Sequence, residues 1–337
     1  MILDDDLDAI HAPLAPLWPR LAGARIFMTG GTGLIGRWML EALARSGVDA
    51  EVVLLSRDPD AFTRRAPHLA ARFRLIRGDI MAFDAPGGGF THIIHAATDA
   101  SAALNANDPR RMFDTIVTGT RRALDLAMAS GNPRFFFLSS GAVYGAQPWD
   151  VTHVAEDWHG GPDPRDPRSA YGEGKRAAEM LCAIYARQFG LDVVNARIFA
   201  LLGPLLSLDI HFAAGNFIRD AMAGRTIRIL GDGRPVRSYL YLADVTVWLW
   251  TILLQAEPGA VFNVGSEDGV SIADLARRTA TILGGPGVEV LGQADPGWNA
   301  GRYVPSTAAI RTALGVTPSI GLDDAIRRTA ISNGWKS

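Results

Sequence analysis

Cysteine is nearly absent: Cys182 stands alone among 337 residues, so no intrachain disulfide can form and a reducing compartment is expected. It falls inside a predicted helix, where a buried structural thiol is the expected role rather than a nucleophile. Excess positive charge is missing too. The formal net charge is −2 and the pI 6.4, which leaves no basic field for nucleic acid or an anionic membrane. A phosphorylated small molecule stays open, since a few placed cations can hold one. No apolar run reaches the ~18 residues that span a bilayer, and "VTVWLWTILL" (245–254) is too short. The start, "MILDDDLDAI", is acidic where a secretory signal would be basic. His153, His159 and His211 have no partner at metal-ligand spacing, so no metal site is expected. These absences point to a cytoplasmic protein of ordinary globular composition, 48% hydrophobic and 20% charged.

What is present is an alternating rhythm. Residues 1–24 carry three prolines and read as an N-terminal extension, helical or irregular. From Arg25 the chain repeats strand, turn and helix. "ARIFMTG" is a buried strand, "LIGRWMLEALARSG" an amphipathic helix closed by Gly47, and "AEVVLLS" the next strand. "RFRLIRGDI" and "THIIHAA" follow as strands. A helix is predicted over 109–130, stopped by Gly131-Asn132-Pro133 before the strand "RFFFLSS". "YGEGKRAAEMLCAIYARQFG" forms a further helix, and "DVVNARIF" returns as a strand. Such alternation predicts a Rossmann-type α/β fold: a doubly wound parallel sheet over 25–200 with a smaller C-terminal lobe, mainly 201–337. "YLADVTVWLWTILLQ" and the helices near 216–223 and 271–283 divide between sheet and lobe.

"MTGGTGLIGRWML" sets Gly30, Gly33 and Gly36 three apart between a strand and a helix. Glycine there permits a tight turn, close approach to a pyrophosphate, and close helix packing. The amino end of the helix, with Leu34 and Ile35, offers free N–H groups to the anion. A dinucleotide is the expected ligand. The next strand ends in Ser56 and Arg57, where an acidic residue would bind the ribose hydroxyls of NAD. Arg57 suits a 2′-phosphate, which favours NADP over NAD, although Asp58 is close enough to oppose that reading. Asp79 and Ile80 are expected to border the adenine, and Ala96 and Ala97 to let the backbone approach the cofactor.

"SAYGEGK" places Tyr171 and Lys175 four apart, on one helical face. A free phenol has a pKa near ~10 and is a poor base at neutral pH. A nearby ammonium, with the positive nicotinamide of an oxidised cofactor, stabilises the phenolate, so Tyr171 can exchange a proton with a hydroxyl or ketone oxygen. Lys175 would also hold the nicotinamide ribose. Ser140, at the end of "RFFFLSS", would hydrogen-bond the reacting oxygen. Plainer roles fall to the rest: His95 to structural hydrogen bonding, Trp248 and Trp250 to the core, and "DPRDPRS" (163–169) to a solvated loop. His211 and Phe212 fall in the smaller C-terminal lobe.

"TGGTGLIG", "HAAT", "SSGAVYG", "YGEGK" and "GDGRPVRSYLYLADV", in that order, resemble the extended short-chain dehydrogenase/reductase family, and within it the nucleotide-sugar epimerase/dehydratase branch. The resemblance covers residues 25–330. It implies a nucleotide-diphosphate sugar as substrate, bound by the C-terminal lobe with His211 and Phe212 beside sugar or base, and a homodimer through a four-helix interface. It makes Ser140, Tyr171 and Lys175 the catalytic set and Gly30, Gly33 and Gly36 the cofactor loop. Arg237 becomes the arginine on the substrate diphosphate, a role that suits a bidentate guanidinium. Asn216 becomes a second diphosphate contact, and Asp244 a structural acid. Two positions depart from the pattern: Ile116 stands where a cofactor-side asparagine is common, and Ala200 where a substrate-side asparagine is common.

The residues after Ser140 bear on the reaction. A 4,6-dehydratase of this branch carries an Asp-Glu pair there, because eliminating water needs an acid and a base. A uronate decarboxylase commonly has a glutamate. This chain has Gly141 and Ala142. The expectation is therefore reduction of an NDP-4-keto-6-deoxyhexose, with a 4-epimerase that retains its cofactor as the alternative. A catalytically silent binding protein is the reading of a different class.

Overall fold

The computed structural model describes all residues except 99–101, 210–212, 296, 298–299 and 337. Its centre is a seven-stranded sheet: β1 Ala24–Thr29, β2 Ala50–Ser56, β3 Arg74–Arg77, β4 His92–His95, β5 Arg134–Ser140, β6 Val193–Ile198 and β7 Val261–Val264. All pairs are parallel and the spatial order is β3-β2-β1-β4-β5-β6-β7. The strand order reverses between β1 and β4, which opens a crevice beyond their carboxyl ends, where ligands bind in such sheets.

Burial on both faces explains the unbroken apolar runs. In β5, Phe136 and Leu138 join one core and Phe135 and Phe137 the other. The first core holds helices α1 Asp4–Leu14 and α2 Leu34–Ser46; the second holds α3 Pro109–Ala129 and α4 Ala170–Phe189. Helix α2 ends at Gly47, whose φ of 69° is the left-handed cap the sequence predicts. Cys182 is fully buried within α4.

The N-terminal segment is woven into the first core. Ile10, Leu14 and Leu21 are fully buried, and Trp18 packs edge-on against Trp250 with ring centroids 5.2 Å apart. Asp6 is buried as well, accepting hydrogen bonds from Tyr241 Oη (2.7 Å) and Arg328 Nη1 (2.7 Å). "VTVWLWTILL" belongs to a helix over Leu242–Gln255 that packs on α1 and α2, with Trp248 and Trp250 inside the core. Among the described residues no helix is long and apolar enough to cross a membrane.

The C-terminal lobe contains helices Ala213–Met222, Ile272–Leu283 and Leu322–Ser332 and a three-stranded sheet. In that sheet Val236–Arg237 lies between Val270–Ser271 and Arg302–Tyr303, with Tyr303 beside Arg237. The segment after Arg302 is stitched to the loop that follows β5. Gln147 bridges Arg302, Val304 N donates to Gln147 Oε1 (3.0 Å), and Val154 N donates to Val304 O (3.0 Å). This seam fixes the lobe relative to the end of β5.

Candidate active site

The turn after β1 is built for close approach. Gly30 has φ 72°, and a Cβ there would lie 2.4 Å from the carbonyl carbon of Ala96. A Cβ on Gly36 would lie 2.3 Å from Gly30 O, so α2 could not start so close to the turn with any other residue. Gly33 plays a different part: its N–H donates to Gly30 O (3.0 Å) and its residue caps α2. No side chain caps that helix, so the first-turn amides, including those of Leu34 and Ile35, point to the crevice as an anion cradle. A cradle this close to the backbone of Ala96 and Ala97 fits a dinucleotide pyrophosphate.

A hydrogen-bonded chain locks the two central strand ends. Ala97 N donates to Thr29 Oγ1 (3.1 Å), which lies 2.8 Å from His95 Nδ1. His95 Nε2 lies 3.1 Å from Thr120 Oγ1, and Thr120 donates to Ile116 O (2.7 Å). Thr120 spends its proton on Ile116 O, so Nε2–H donates to Thr120; with the ring neutral, Nδ1 accepts from Thr29. Burial, and then the charge of Lys175, pull the His95 pKa down to about 3, which keeps the imidazole neutral. His95 is a structural brace.

On the outer side of the crevice, Ser56 is buried at the end of β2 and its Oγ accepts from Asp58 N (3.2 Å). Asp58 caps the helix Pro59–Arg65, with Oδ1 accepting from Ala61 N (3.0 Å). One carboxylate oxygen thus caps the helix end, and both Asp58 and the Arg57 side chain are exposed. Asp79 Oδ1 accepts from Met81 N (2.9 Å), and Ile80 is buried beneath Gly119 of α3.

Helix α4 presents Tyr171 and Lys175 one turn apart. Its amino end is held by Asn105, which accepts from Tyr171 N (3.0 Å) and donates to Arg168 O (2.8 Å). The glycines between the two functional residues let the helix sink inward. A Cβ on Gly172 would lie 2.8 Å from Ala142 O, and one on Gly174 would lie 3.1 Å from Ile116. Lys175 Nζ donates to Leu138 O (2.7 Å) and Thr98 Oγ1 (2.8 Å), and lies 4.7 Å from the centre of the Phe137 ring. Burial pulls its ammonium from 10.5 down to about 7, against the opposing charge of Glu179. The loop 163–169 ahead of α4 carries the exposed pairs Asp163–Arg165 and Asp166–Arg168.

Ser140 is the meeting point. Its Oγ accepts from Ala142 N (3.2 Å), capping a short turn over Gly141–Tyr144. Two phenols, Tyr171 and Tyr303, lie near enough for Ser140 to bear on their ionisation. Burial raises the pKa of both phenols, and Ser140 works the other way in each. A Cβ on Gly141 would lie 2.6 Å from Tyr303 Oη and 2.7 Å from the Phe199 ring, so the space beside Ser140 belongs to an aromatic pair whose ring centroids are 4.5 Å apart.

The structure therefore places Tyr171 near enough to Ser140 for that hydroxyl to favour its ionisation, and sets Lys175 one turn along the same helix. Arg237, half-buried, lies beside Tyr303 and donates to the neighbouring carbonyl of Val236 (2.9 Å). Asn216 sits half-buried on the helix Ala213–Met222, its side chain making no hydrogen bond to any described residue. Asp244 is structural: its carboxylate accepts from Ser319 N (3.0 Å), Ser319 Oγ (2.5 Å) and Ile320 N (3.1 Å). Ile116 packs against Gly174 in the core, and His211 and Phe212 lie outside the described residues. Thr29, Thr98, Asn105 and Tyr303 escape a reading of the sequence. Thr98 follows Ala96 and Ala97 and was within reach of the "HAAT" motif; Tyr303 arrives from the far lobe with no local signal.

Behind this site Glu179 accepts from Ser139 Oγ (2.5 Å) and pairs with Arg197 (2.8 Å), both charges nearly buried. Arg197 also donates to Tyr144 Oη (2.8 Å), and Tyr144 donates to Asn263 Oδ1 (2.8 Å). A cleft of about 580 Å³ lies along this side of α4, lined by Trp158, Arg187 and Asn195 among others, and none of Ser140, Tyr171 and Lys175 borders it. Among the described residues no group of three His, Cys, Asp or Glu side chains is placed to hold a metal.

Comparison with known proteins bears on this geometry. The UDP-glucuronic acid decarboxylase 1 of Xenopus tropicalis is 29% identical over 311 residues, which is 90% of this chain and 71% of that protein. A UDP-glucose 4-epimerase from Thermus thermophilus, solved with NAD, is 25% identical with a TM-score of 0.76, covering 92% of this chain and 99% of the other. A UDP-N-acetylglucosamine 4-epimerase from Methanobrevibacter ruminantium shares the fold with a TM-score of 0.80 at 20% identity, over 93% of this chain and 98% of that one. The family model described as "NAD dependent epimerase/dehydratase family" matches residues 26–265. A match across most of the chain, on a doubly wound sheet of this order, establishes membership: the chain belongs to the NAD-dependent epimerase/dehydratase family, within the extended short-chain dehydrogenases/reductases.

Proposed function

We propose that the protein acts at C4 of a nucleotide-diphosphate sugar, reducing the 4-keto group of an NDP-4-keto-6-deoxyhexose in the cytoplasm. The observation that carries this reading is the space beside Ser140. Gly141 and Ala142 bring no acid or base, and the volume a side chain at 141 would use is filled by Tyr303 and Phe199. Dehydration and decarboxylation of such sugars need a carboxyl group there; hydride exchange at C4 does not. The decarboxylases named above share the framework, but the glutamate such enzymes commonly carry is Ala142 here.

Bound NAD(P) supplies the hydride, and the protein manages the proton. Ser140 holds the C4 oxygen, and Tyr171 Oη gives that oxygen its proton as the carbonyl becomes an alkoxide. The Lys175 ammonium stabilises the phenolate left behind and binds the nicotinamide ribose. Arg237 and Asn216 take the diphosphate. Arg57 takes a 2′-phosphate, a reading supported by its exposed guanidinium at the tip of β2 and by the use of Asp58 Oδ1 as a helix cap. NADP is the preferred cofactor on this reading. The protein is a homodimer through α3 and α4, supported by Phe113, Met180 and Ile184, apolar side chains that these helices leave exposed.

One observation favours a second reading. The likeness to a 4-epimerase solved with NAD extends over nearly the full length of both chains, and Ser140, Tyr171 and Lys175 would serve an epimerase equally. A panel of NDP-sugars and their 4-keto derivatives, with NADH and NADPH in parallel, separates the two. NADPH consumption with a 4-keto substrate alone supports the reductase. Interconversion of NDP-sugars without added cofactor replaces it by the epimerase. In either case Tyr171→Phe should abolish turnover while cofactor still binds; turnover that survives overturns the assignment of Tyr171.

A further inference from the structure

We infer that the cleft beside α4 is a second ligand site, apart from the catalytic crevice, and that it takes a nucleoside monophosphate. It does not depend on which reaction Ser140 serves.

The floor of the cleft is one face of the sheet near its edge. Residues two apart on a strand share a face, and Val193, Asn195 and Arg197 of β6 all line the cleft. Val261 of β7, paired in register with Asn195, extends that floor. One wall is α4, where Ala183, Ala186 and Arg187 recur at helical spacing. The other is the loop after β5, held by Arg176, which donates to Val143 O (3.2 Å) and Gly160 O (2.7 Å). The space of about 580 Å³ is that of a small-molecule site.

Two polar groups in this lining lack partners. Asn195 is 8% exposed, and its Oδ1 is buried with no hydrogen bond. Its backbone N–H is satisfied by Ala260 O (2.9 Å), so the side-chain amide alone is left over. A buried amide that bonds to nothing costs stability, and an apolar residue like Val193 or Val261 would suit this floor better. Arg187, exposed in the last turn of α4, makes no hydrogen bond or ion pair to any described residue. The other charges are committed. Glu179 is taken up by Arg197 and Ser139, and Arg176 lies 3.6 Å from Glu173.

One free cation and one free amide between apolar surfaces select the ligand. Arg187 calls for an anion. A fatty acid would supply it and leave Asn195 unpaired; an inorganic ion would leave both Asn195 and the apolar walls unmet. A nucleobase has apolar faces for Val193, Val261 and Ala183, and an edge whose donor and acceptor match the two ends of an asparagine amide. The last side-chain torsion of Asn195 is soft, so either end of the amide can turn to the cleft. The phosphate then falls to the Arg187 guanidinium.

The probes are AMP and UMP, with inorganic phosphate as the control for charge alone. Trp158, which lines the cleft, is the reporter. The enzyme carries one equivalent of NAD(P) and 5-fluorotryptophan in place of its eight tryptophans, and Trp158→Phe assigns the Trp158 fluorine resonance. At least one nucleotide should shift that resonance saturably, and inorganic phosphate should not. Arg187→Met should weaken binding about tenfold and Asn195→Leu about fivefold, for a charge-assisted and a neutral hydrogen-bonded contact. Arg237→Ala should leave the affinity unchanged. No shift with either nucleotide overturns the inference, and so does an equal shift with inorganic phosphate. Loss of the shift in Arg237→Ala would put the nucleotide in the substrate crevice and overturn it as well. Should Asn195→Leu fail to fold, Arg187→Met changes only an exposed side chain, and wild-type affinity in that variant refutes the site.

Discussion

Glu179 is where stability and chemistry meet most closely, and Glu179→Gln tests both. Its carboxylate accepts from Ser139 Oγ (2.5 Å) and makes a forked pair with Arg197, at 2.8 Å to Nη2 and 3.1 Å to Nε. The two side chains are 13% and 15% exposed, so solvent screens the pair little. Burial alone would lower the Arg197 pKa, and the Glu179 hydrogen bonds and charge reverse that and raise it. Glutamine keeps the shape but offers one acceptor and turns an NH₂ group toward a guanidinium that has only donors. A buried cation stripped of its partner costs about 3 kcal/mol, or roughly 5 °C in Tm for a chain of this size. Urea and thermal unfolding of Glu179→Gln, Arg197→Met and the double variant should show the double variant less damaged than the two single losses added together. If Glu179→Gln stays within ~0.5 kcal/mol of wild type, the pair does not act as a buried charge and the reasoning fails. A second effect follows at Lys175. Glu179 raises its pKa against the pull of burial, so losing that charge drops it below its value of about 7. Lys175 works as the ammonium, so the alkaline limb of turnover should move to lower pH; a limb that stays put would refute the coupling.

Gly30→Ala should weaken NAD(P) binding by at least about tenfold and lower the Tm, because the new Cβ would meet backbone at 2.4 Å in a left-handed conformation. Wild-type affinity by calorimetry would contradict the close approach seen there. Arg57→Ala should reduce NADPH preference over NADH by about tenfold, a loss of one charge-assisted phosphate contact; equal kcat/KM ratios in the two proteins would remove Arg57 from the cofactor site. Asp6→Asn should cost about 1–2 kcal/mol, since Asp6 is buried under Tyr241 but Arg328 keeps Asp324 as a second partner. Burial raises the Asp6 pKa, so above 3.8 the folded state holds more of this proton than the unfolded chain does. Stability from this group therefore falls as pH rises through the window between 3.8 and the raised folded value. Denaturation across that window should show a slope in wild type that Asp6→Asn lacks.

Short-range features were legible in the amino acids. The turn after β1 could be read because Gly30 and Gly36 are demanded by local backbone geometry, and β5 because a strand buried on both faces writes Phe135, Phe136 and Phe137 in a row. Tyr171 and Lys175 share a helical face by spacing alone. β7 was harder: Val261–Val264 is four residues long, and its place at the edge of the sheet depends on pairing with β6. The N-terminal helix carried Ile10 and Leu14 openly, yet nothing nearby announced that Asp6 would be buried, because its partners Tyr241 and Arg328 come from the other end of the chain.

By itself the sequence determined the parallel sheet, the cofactor turn, the Ser140–Tyr171–Lys175 set and the missing acid at 141, since each is written in neighbouring residues and their spacing. Only the tertiary structure decided what fills the space that Gly141 leaves. Tyr303 reaches that space because Gln147 and Val154 stitch its strand to the loop after β5. The same folding turned His95 into a neutral brace and Glu179 into the counter-charge of both Arg197 and Lys175. A hydroxyl's proton direction and a buried group's charge depend on every element packed around them, and that enclosure exists only once distant parts of the chain have met.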